Sequence, residues 1–168
     1  PTALNALTKE QARTLFDIAG EKMLAGNLDD AKAELEKILE IFPQHLRSLY
    51  LRGRVSFLQE DMNTALLYLK KAATDKFAEP HCDIGVIHRS AGCIDDAATS
   101  YRKALKINPD IPEVNANLAN ALRELGKLEH AIKYYEIAIK LKPNFAESYY
   151  NFGMTLNLLD RLNEADAC

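Results

Sequence analysis

The sequence predicts an all-α protein, a solenoid of stacked helix pairs. Three observations predict it. Alanines recur at a nearly constant interval: Ala31, Ala65, Ala97, Ala131 and Ala165 are separated by 34, 32, 34 and 34 residues. A bulky residue follows each of the first four alanines by one helical turn, as Leu35, Leu69, Tyr101 and Tyr135. Stop signals keep the same register, with Pro43, Pro109 and Pro143 closing units and Gly26, Gly92 and Gly126 marking turns inside them. Self-similarity at such a period is the mark of a repeat architecture, in which each unit buries its apolar side against its neighbours.

The totals set bounds on this reading. A chain of 168 residues is long enough to bury a substantial core. Its net charge of −3 supplies no basic stripe for nucleic acid. No run of about 18 apolar residues is present, so no membrane-spanning helix is expected. Pro1 to Leu7 lack the basic and apolar regions of a signal peptide. The chain starts without Met and ends within a helical pattern at Cys168, which reads as a piece of something longer. Its three cysteines, Cys82, Cys93 and Cys168, make a poor disulfide framework, so reduced thiols and a cytoplasmic setting are expected.

Helices are expected, in order, over 8–25 and 29–41, 45–58 and 62–74, 79–90 and 94–107, 111–125 and 128–141, and 145–159 and 162–168. Thr8 to Gln11, "TKEQ", opens the first as a capping box. In the second, "AELEKILEIF" lays Leu35, Ile38, Leu39 and Phe42 along one stripe at helical spacing. The first helix of each pair carries a small residue, as Ala19, Gly53, Gly85, Ala119 and Gly153. These face the alanines of the second helices, where a larger side chain would push the two apart. The prolines end the second helices, because the residue before a proline disfavours helix. The units are therefore 12–45, 46–77, 78–111, 112–145 and a partial 146–168, one array without a dividing linker.

"YYNFG" from Tyr149 to Gly153 and "AATSY" from Ala97 carry a resemblance. They resemble the tetratricopeptide repeat, whose unit of about 34 residues runs aromatic, Leu-Gly, Tyr, Ala, aromatic, Pro. The likeness covers nearly the whole chain. It implies a right-handed superhelical α-solenoid of about four and a half units, its inner wall built from the first helix of each pair. The second unit departs from the pattern: it is two residues short, has Phe77 where Pro is expected, and puts Arg52 in a usually apolar column. Either the superhelix changes there, or Arg52 buries its stem and finds an acidic partner.

The family register assigns the wall. The first unit offers Arg13, Phe16, Asp17 and Gly20; the second, Arg47, Tyr50, Leu51, Arg54 and Phe57; the third, Glu79, Cys82, Asp83, Val86 and Arg89. The fourth offers Glu113, Ala116, Asn117, Asn120 and Arg123; the fifth, Glu147, Tyr150, Asn151, Met154 and Asn157. Asp17, Asp83, Asn117 and Asn151 share one column, broken by Leu51. A carboxamide both donates and accepts, so a row of them can hold an extended peptide by its backbone. That row is similar to the asparagine ladder in the repeat arm of O-GlcNAc transferases; the plainer reading is solvated asparagines. Arg54, Arg89 and Arg123 alternate with Glu79, Glu113 and Glu147. They suit either acidic groups on a ligand or, the favoured reading, ion pairs between neighbouring repeats. The carboxylate clamp that grips chaperone tails is rejected, because Phe16 and Gly20 stand where it needs Lys and Asn.

Chemistry is not expected in this chain. His81, Cys82, Asp83, His88 and Cys93 match no common zinc spacing and read as packing residues. No phosphate-binding loop or nucleophile motif is present, so no catalytic residue, metal or cofactor is assigned. The expected function is a protein-interaction module whose groove holds a peptide on Arg47, Tyr50, Arg54, Phe57, Asp83, Arg89, Asn117, Asn120, Arg123, Tyr150 and Asn151. The alternatives are a substrate-presenting arm of a glycosyltransferase and a scaffold that self-associates through Leu156, Leu159 and Leu162.

Overall fold

The computed structural model describes residues 8–159. Nine α-helices lie among them, and the only β-type pairing among these residues is an isolated bridge between Thr74 and Phe77. They are α1 (Lys9–Leu24), α2 (Leu28–Ile41), α3 (Leu46–Leu58), α4 (Met62–Ala72), α5 (Ala78–Ser90), α6 (Ile94–Ile107), α7 (Pro112–Glu124), α8 (Leu128–Leu141) and α9 (Ala146–Leu158). Their bounds depart from the sequence expectation by at most two residues, at the end of α4. Ala165, Leu162 and the helix expected over 162–168 lie outside the described residues.

The chain divides between Ala73 and Thr74 into two compact units. In the first, α1 packs on α2 and α3 on α4, with α2 against α3. In the second, α5 packs on α6 and α7 on α8, with α6 against α7 and α8 against α9. Each helix thus meets its sequence neighbours within its unit, as in a repeat stack.

The recurring columns are the core. Ala31, Ala65, Ala97 and Ala131 are all 0% exposed, and Leu35, Leu69, Tyr101 and Tyr135 are exposed by no more than 1%. The partner column lies against them. A Cβ on Gly53 would stand 2.7 Å from Leu69 Cγ, and one on Gly85 would overlap the Tyr101 ring. The small residues therefore set how closely each pair of helices nests.

Four helix pairs turn in the same way. At the first turn Gly26 N–H donates to Met23 O and Asn27 N–H to Lys22 O, satisfying carbonyls that the helix end leaves open. Gly92 and Cys93, then Gly126 and Lys127, repeat the arrangement. The glycines take φ of 80°, 77° and 72°. The second pair has no glycine there, and Glu60 adopts φ 62° instead, with Glu60 and Asp61 making the same two bonds. The capping box forms as expected: Gln11 N–H donates to Thr8 Oγ1, and Thr8 N–H donates to Gln11 Oε1 at 2.8 Å.

The departure in the second pair resolves through Arg52. It is only 5% exposed. Nε and Nη2 each lie 3.3 Å from Glu36 Oε1, Nη1 donates to Ser56 Oγ, and the guanidinium lies 4.9 Å from the centre of the Tyr68 ring. The buried cation has found an acidic partner on the preceding helix, and its stem fills an apolar position.

Candidate functional site

In the second unit the first helices of the pairs, α5, α7 and α9, carry the register positions expected to bind. Arg89 is half-buried on α5 and spoken for: Nε and Nη2 donate to Glu124 Oε1 at 3.0 and 2.8 Å. Glu113 likewise accepts from Lys142 Nζ at 2.7 Å, which holds its carboxyl below the usual carboxylate range. The Arg89–Glu124 pair joins neighbouring repeats, whereas the Lys142–Glu113 pair lies within the fourth repeat. Such partly exposed pairs contribute little to stability, but they fix where the charges stand.

Asn120 is a correction. The register put it on the wall, but it is 4% exposed and its Oδ1 accepts from the Tyr135 hydroxyl. Tyr135 replaces the Leu found in this column in the first unit, and its hydroxyl needs a buried acceptor. Burial pushes the Tyr135 hydroxyl pKa up, while the neighbouring Arg123 charge opposes that shift. Arg123 is half-buried beside it, and its Nε has no hydrogen-bond partner among the described residues. Ala116 and Leu51, also placed on the wall by register, are buried at 6% and 7% exposure.

What remains open on this face is carboxamide and aromatic. Asn117 on α7 and Asn151 on α9 are both half-buried, and neither side chain has a hydrogen-bond partner among the described residues. Asn117 lines a cavity of about 360 Å³ with Val86, Arg89, Ser90, Tyr101 and Glu124. Tyr150 on α9 is 69% exposed. Asp83 is half-buried on α5. The apolar edge expected at the last helix also needs correcting. Leu156 is 1% exposed and Leu159 is half-buried, whereas Tyr150, Met154 and Leu158 form the exposed apolar stripe of α9.

In the first unit, Arg47 and Arg54 are exposed, while Tyr50 and Phe57 are half-buried on α3. The Arg54 guanidinium lies 5.9 Å from the centre of the Tyr50 ring. A cavity of about 440 Å³ opens between α1, the end of α2 and the start of α3. It is lined by Lys9, Ala12, Arg13, Phe16, Asp17, Phe42, His45 and Arg47. Sequence reasoning placed Arg13, Phe16, Asp17 and Arg47 on the wall and Phe42 only on the apolar stripe of the second helix, and it missed Lys9, Ala12 and His45. Lys9 lies ahead of the repeat register and His45 in a turn, where periodicity carries no signal.

The cysteine and histidine cluster does not assemble. Among the described residues no three His, Cys, Asp or Glu side chains come close enough to hold a metal. His81 Nε2 lies 3.1 Å from Thr74 O and secures the turn before α5. Burial, with Asp83 and Glu79 nearby, pushes the Cys82 thiol up to about 12, far from a nucleophile at neutral pH. No helix among the described residues is long and apolar enough to cross a membrane.

The recurring helix pair, with its buried alanine, facing glycine or alanine and left-handed turn residue, defines a repeat protein. Models of the tetratricopeptide repeat match residues 10–79, and then 85–122 and 119–156. The chain belongs to the tetratricopeptide repeat family. Solved structures share the fold. A structure of MamA matches with a TM-score of 0.81 at 23% identity, covering 89% of this chain and 89% of that one. Pseudomonas aeruginosa pilF matches at 0.83 and 19% identity, covering 94% of this chain and 73% of that one. YrrB, described as a TPR protein with an unusual peptide-binding site, matches at 0.77 and 20% identity, covering 94% and 82%. No curated protein matches the sequence.

Proposed function

We propose that the chain is a protein-interaction module and that its second unit holds an extended peptide segment along α7 and α9. The observation that carries this reading is the pair Asn117 and Asn151. They occupy equivalent positions one repeat apart, on helices that meet, and each is a half-buried residue whose carboxamide has no hydrogen-bond partner among the described residues. A peptide backbone offers each carboxamide one N–H and one C=O, which it can satisfy together. Exposed Tyr150 supplies an amphipathic ring beside them, a residue type enriched where proteins bind one another. YrrB, which shares this fold at low identity, is described as having a peptide-binding site.

The test is a titration against a peptide library that is unbiased in sequence. Asn117→Ala with Asn151→Ala should weaken the best binders by at least about tenfold, the loss of two carboxamides that each donate and accept at the interface. Circular dichroism should report an unchanged fold. Equal affinity in the double variant removes the carboxamide pair from the binding face.

A further inference from the structure

The cavity of the first unit has its own chemistry. Its floor is apolar, made by Ala12 and Phe16 of α1 and by Phe42, with Phe16 and His45 meeting edge to face at 6.1 Å between ring centres. Its volume, about 440 Å³, is within the range of a small ligand pocket and admits a bulky side chain. Lys9, Arg13 and Arg47 stand around it against the single carboxylate of Asp17. All four are exposed. Among the described residues none of the three cations forms an ion pair, unlike Lys22, Lys37 and Arg52 of the same unit. Partial burial of its ring and the nearby Arg47 charge hold His45 below the usual histidine range.

Three cations with no ion pair among the described residues, set against one carboxylate around an apolar hole, select a ligand of opposite sign with something to insert. We propose that this cavity is a docking pocket for an acidic peptide segment, which inserts one apolar or aromatic side chain against Phe16 and Phe42 while flanking carboxylates meet Lys9, Arg13 and Arg47. The proposal rests on the interaction-module reading but concerns a different unit and a different recognition mode, side chain and charge rather than backbone. Planar guanidinium groups are well matched to carboxylates, and complementary charge around an apolar anchor favours the right partner over a basic one.

The probe is a fluorescein-labelled peptide of alternating glutamate and serine around one central phenylalanine, followed by fluorescence anisotropy. Two control peptides replace the glutamates by lysine, or the phenylalanine by serine. The acidic probe should bind at least about tenfold more tightly than the lysine version, and weaken as salt shortens the reach of the charges. Replacing its phenylalanine should cost at least about fivefold, the loss of one buried aromatic anchor. Arg13→Glu with Arg47→Glu should lose at least about tenfold; both residues are exposed, so the fold should survive. Asn117→Ala with Asn151→Ala should bind the acidic probe unchanged, which separates the two proposals. Equal binding of the acidic and lysine peptides, or indifference to the charge reversal, overturns the pocket even if the library still binds through the carboxamides. Tighter binding after removal of residues 1–7 overturns it in favour of the chain's own leading segment as occupant. A dimer that the charge reversal dissolves overturns it in favour of a second copy.

Discussion

Gly85 on α5 lies against the ring of Tyr101 on α6 with no space for a Cβ between them. The glycine is there because the helices cross at the width of an aromatic ring, not for any turn. Gly85→Ala should destabilise the chain by about 1–3 kcal/mol, the usual penalty for overpacking a core. Urea denaturation measures it. Tyr101→Leu introduced with it should recover part of the loss, because Leu35 fills this column in the first repeat with Ala19 in the facing position. A neutral Gly85→Ala would mean that the two helices separate freely at this crossing.

Glu60 holds the left-handed turn position that Gly26, Gly92 and Gly126 hold elsewhere. A Cβ in that conformation crowds the following carbonyl, at a cost of about 1–2 kcal/mol. Its side chain is exposed, so nothing is lost on removing it. Glu60→Gly should therefore raise stability, by about 1 kcal/mol after the extra chain entropy of glycine is set against the relieved strain. A rise in the thermal midpoint checks the sign, and a fall would show that the exposed carboxylate holds the turn in some other way.

Arg52 and Glu36 should respond unequally to mutation. Arg52 has only 5% of its side chain exposed, while Glu36 has 44%. Glu36→Gln leaves the buried cation facing a neutral amide oxygen in place of the carboxylate, beside Ser56 and the Tyr68 ring, and should cost about 1–3 kcal/mol. Arg52→Met fills the apolar column and lets Glu36 return to water, so it should cost less. The comparison is made by denaturation of both variants in the same buffer. If Arg52→Met proves the more harmful, stacking on Tyr68 outweighs the charge pair.

Most of the fold was legible because its determinants are local or strictly periodic. The alanine column, the facing small residues and the turn glycines each occupy one register position, so a wrong alignment would have broken several columns together. The buried arginine could be anticipated because a cation in an apolar column has few solutions. Side-chain partners were less legible. Asn120 looked like a ligand because register alone places it on the wall. Only the hydroxyl of Tyr135, 15 residues on and reaching across the hairpin, turns it inward. The first-unit cavity was half visible for a related reason. Arg13, Phe16, Asp17 and Arg47 sit on counted positions, but Lys9, Phe42 and His45 come from a helix start, a helix end and a turn. Their meeting depends on how three segments converge, which no single period encodes.

The thiols give a last test, of burial rather than packing. Cys93 is exposed at the start of α6, whereas Cys82 is half-buried on α5, and its Sγ donates to Ala78 O at 3.4 Å. Only the thiolate attacks disulfide reagents, so a thiol pushed up to about 12 presents almost none of it at pH 8. In a Cys168→Ser background, a colourimetric disulfide reagent at that pH should therefore release one equivalent quickly from Cys93. The second should follow only as the chain opens or denaturant is added. Raising the pH toward 10 should speed the slow phase, because Cys82 gains thiolate over that whole interval. Two equally fast equivalents would mean that α5 leaves Cys82 open to water, and with it the close contact of α5 and α6 on which the third repeat depends.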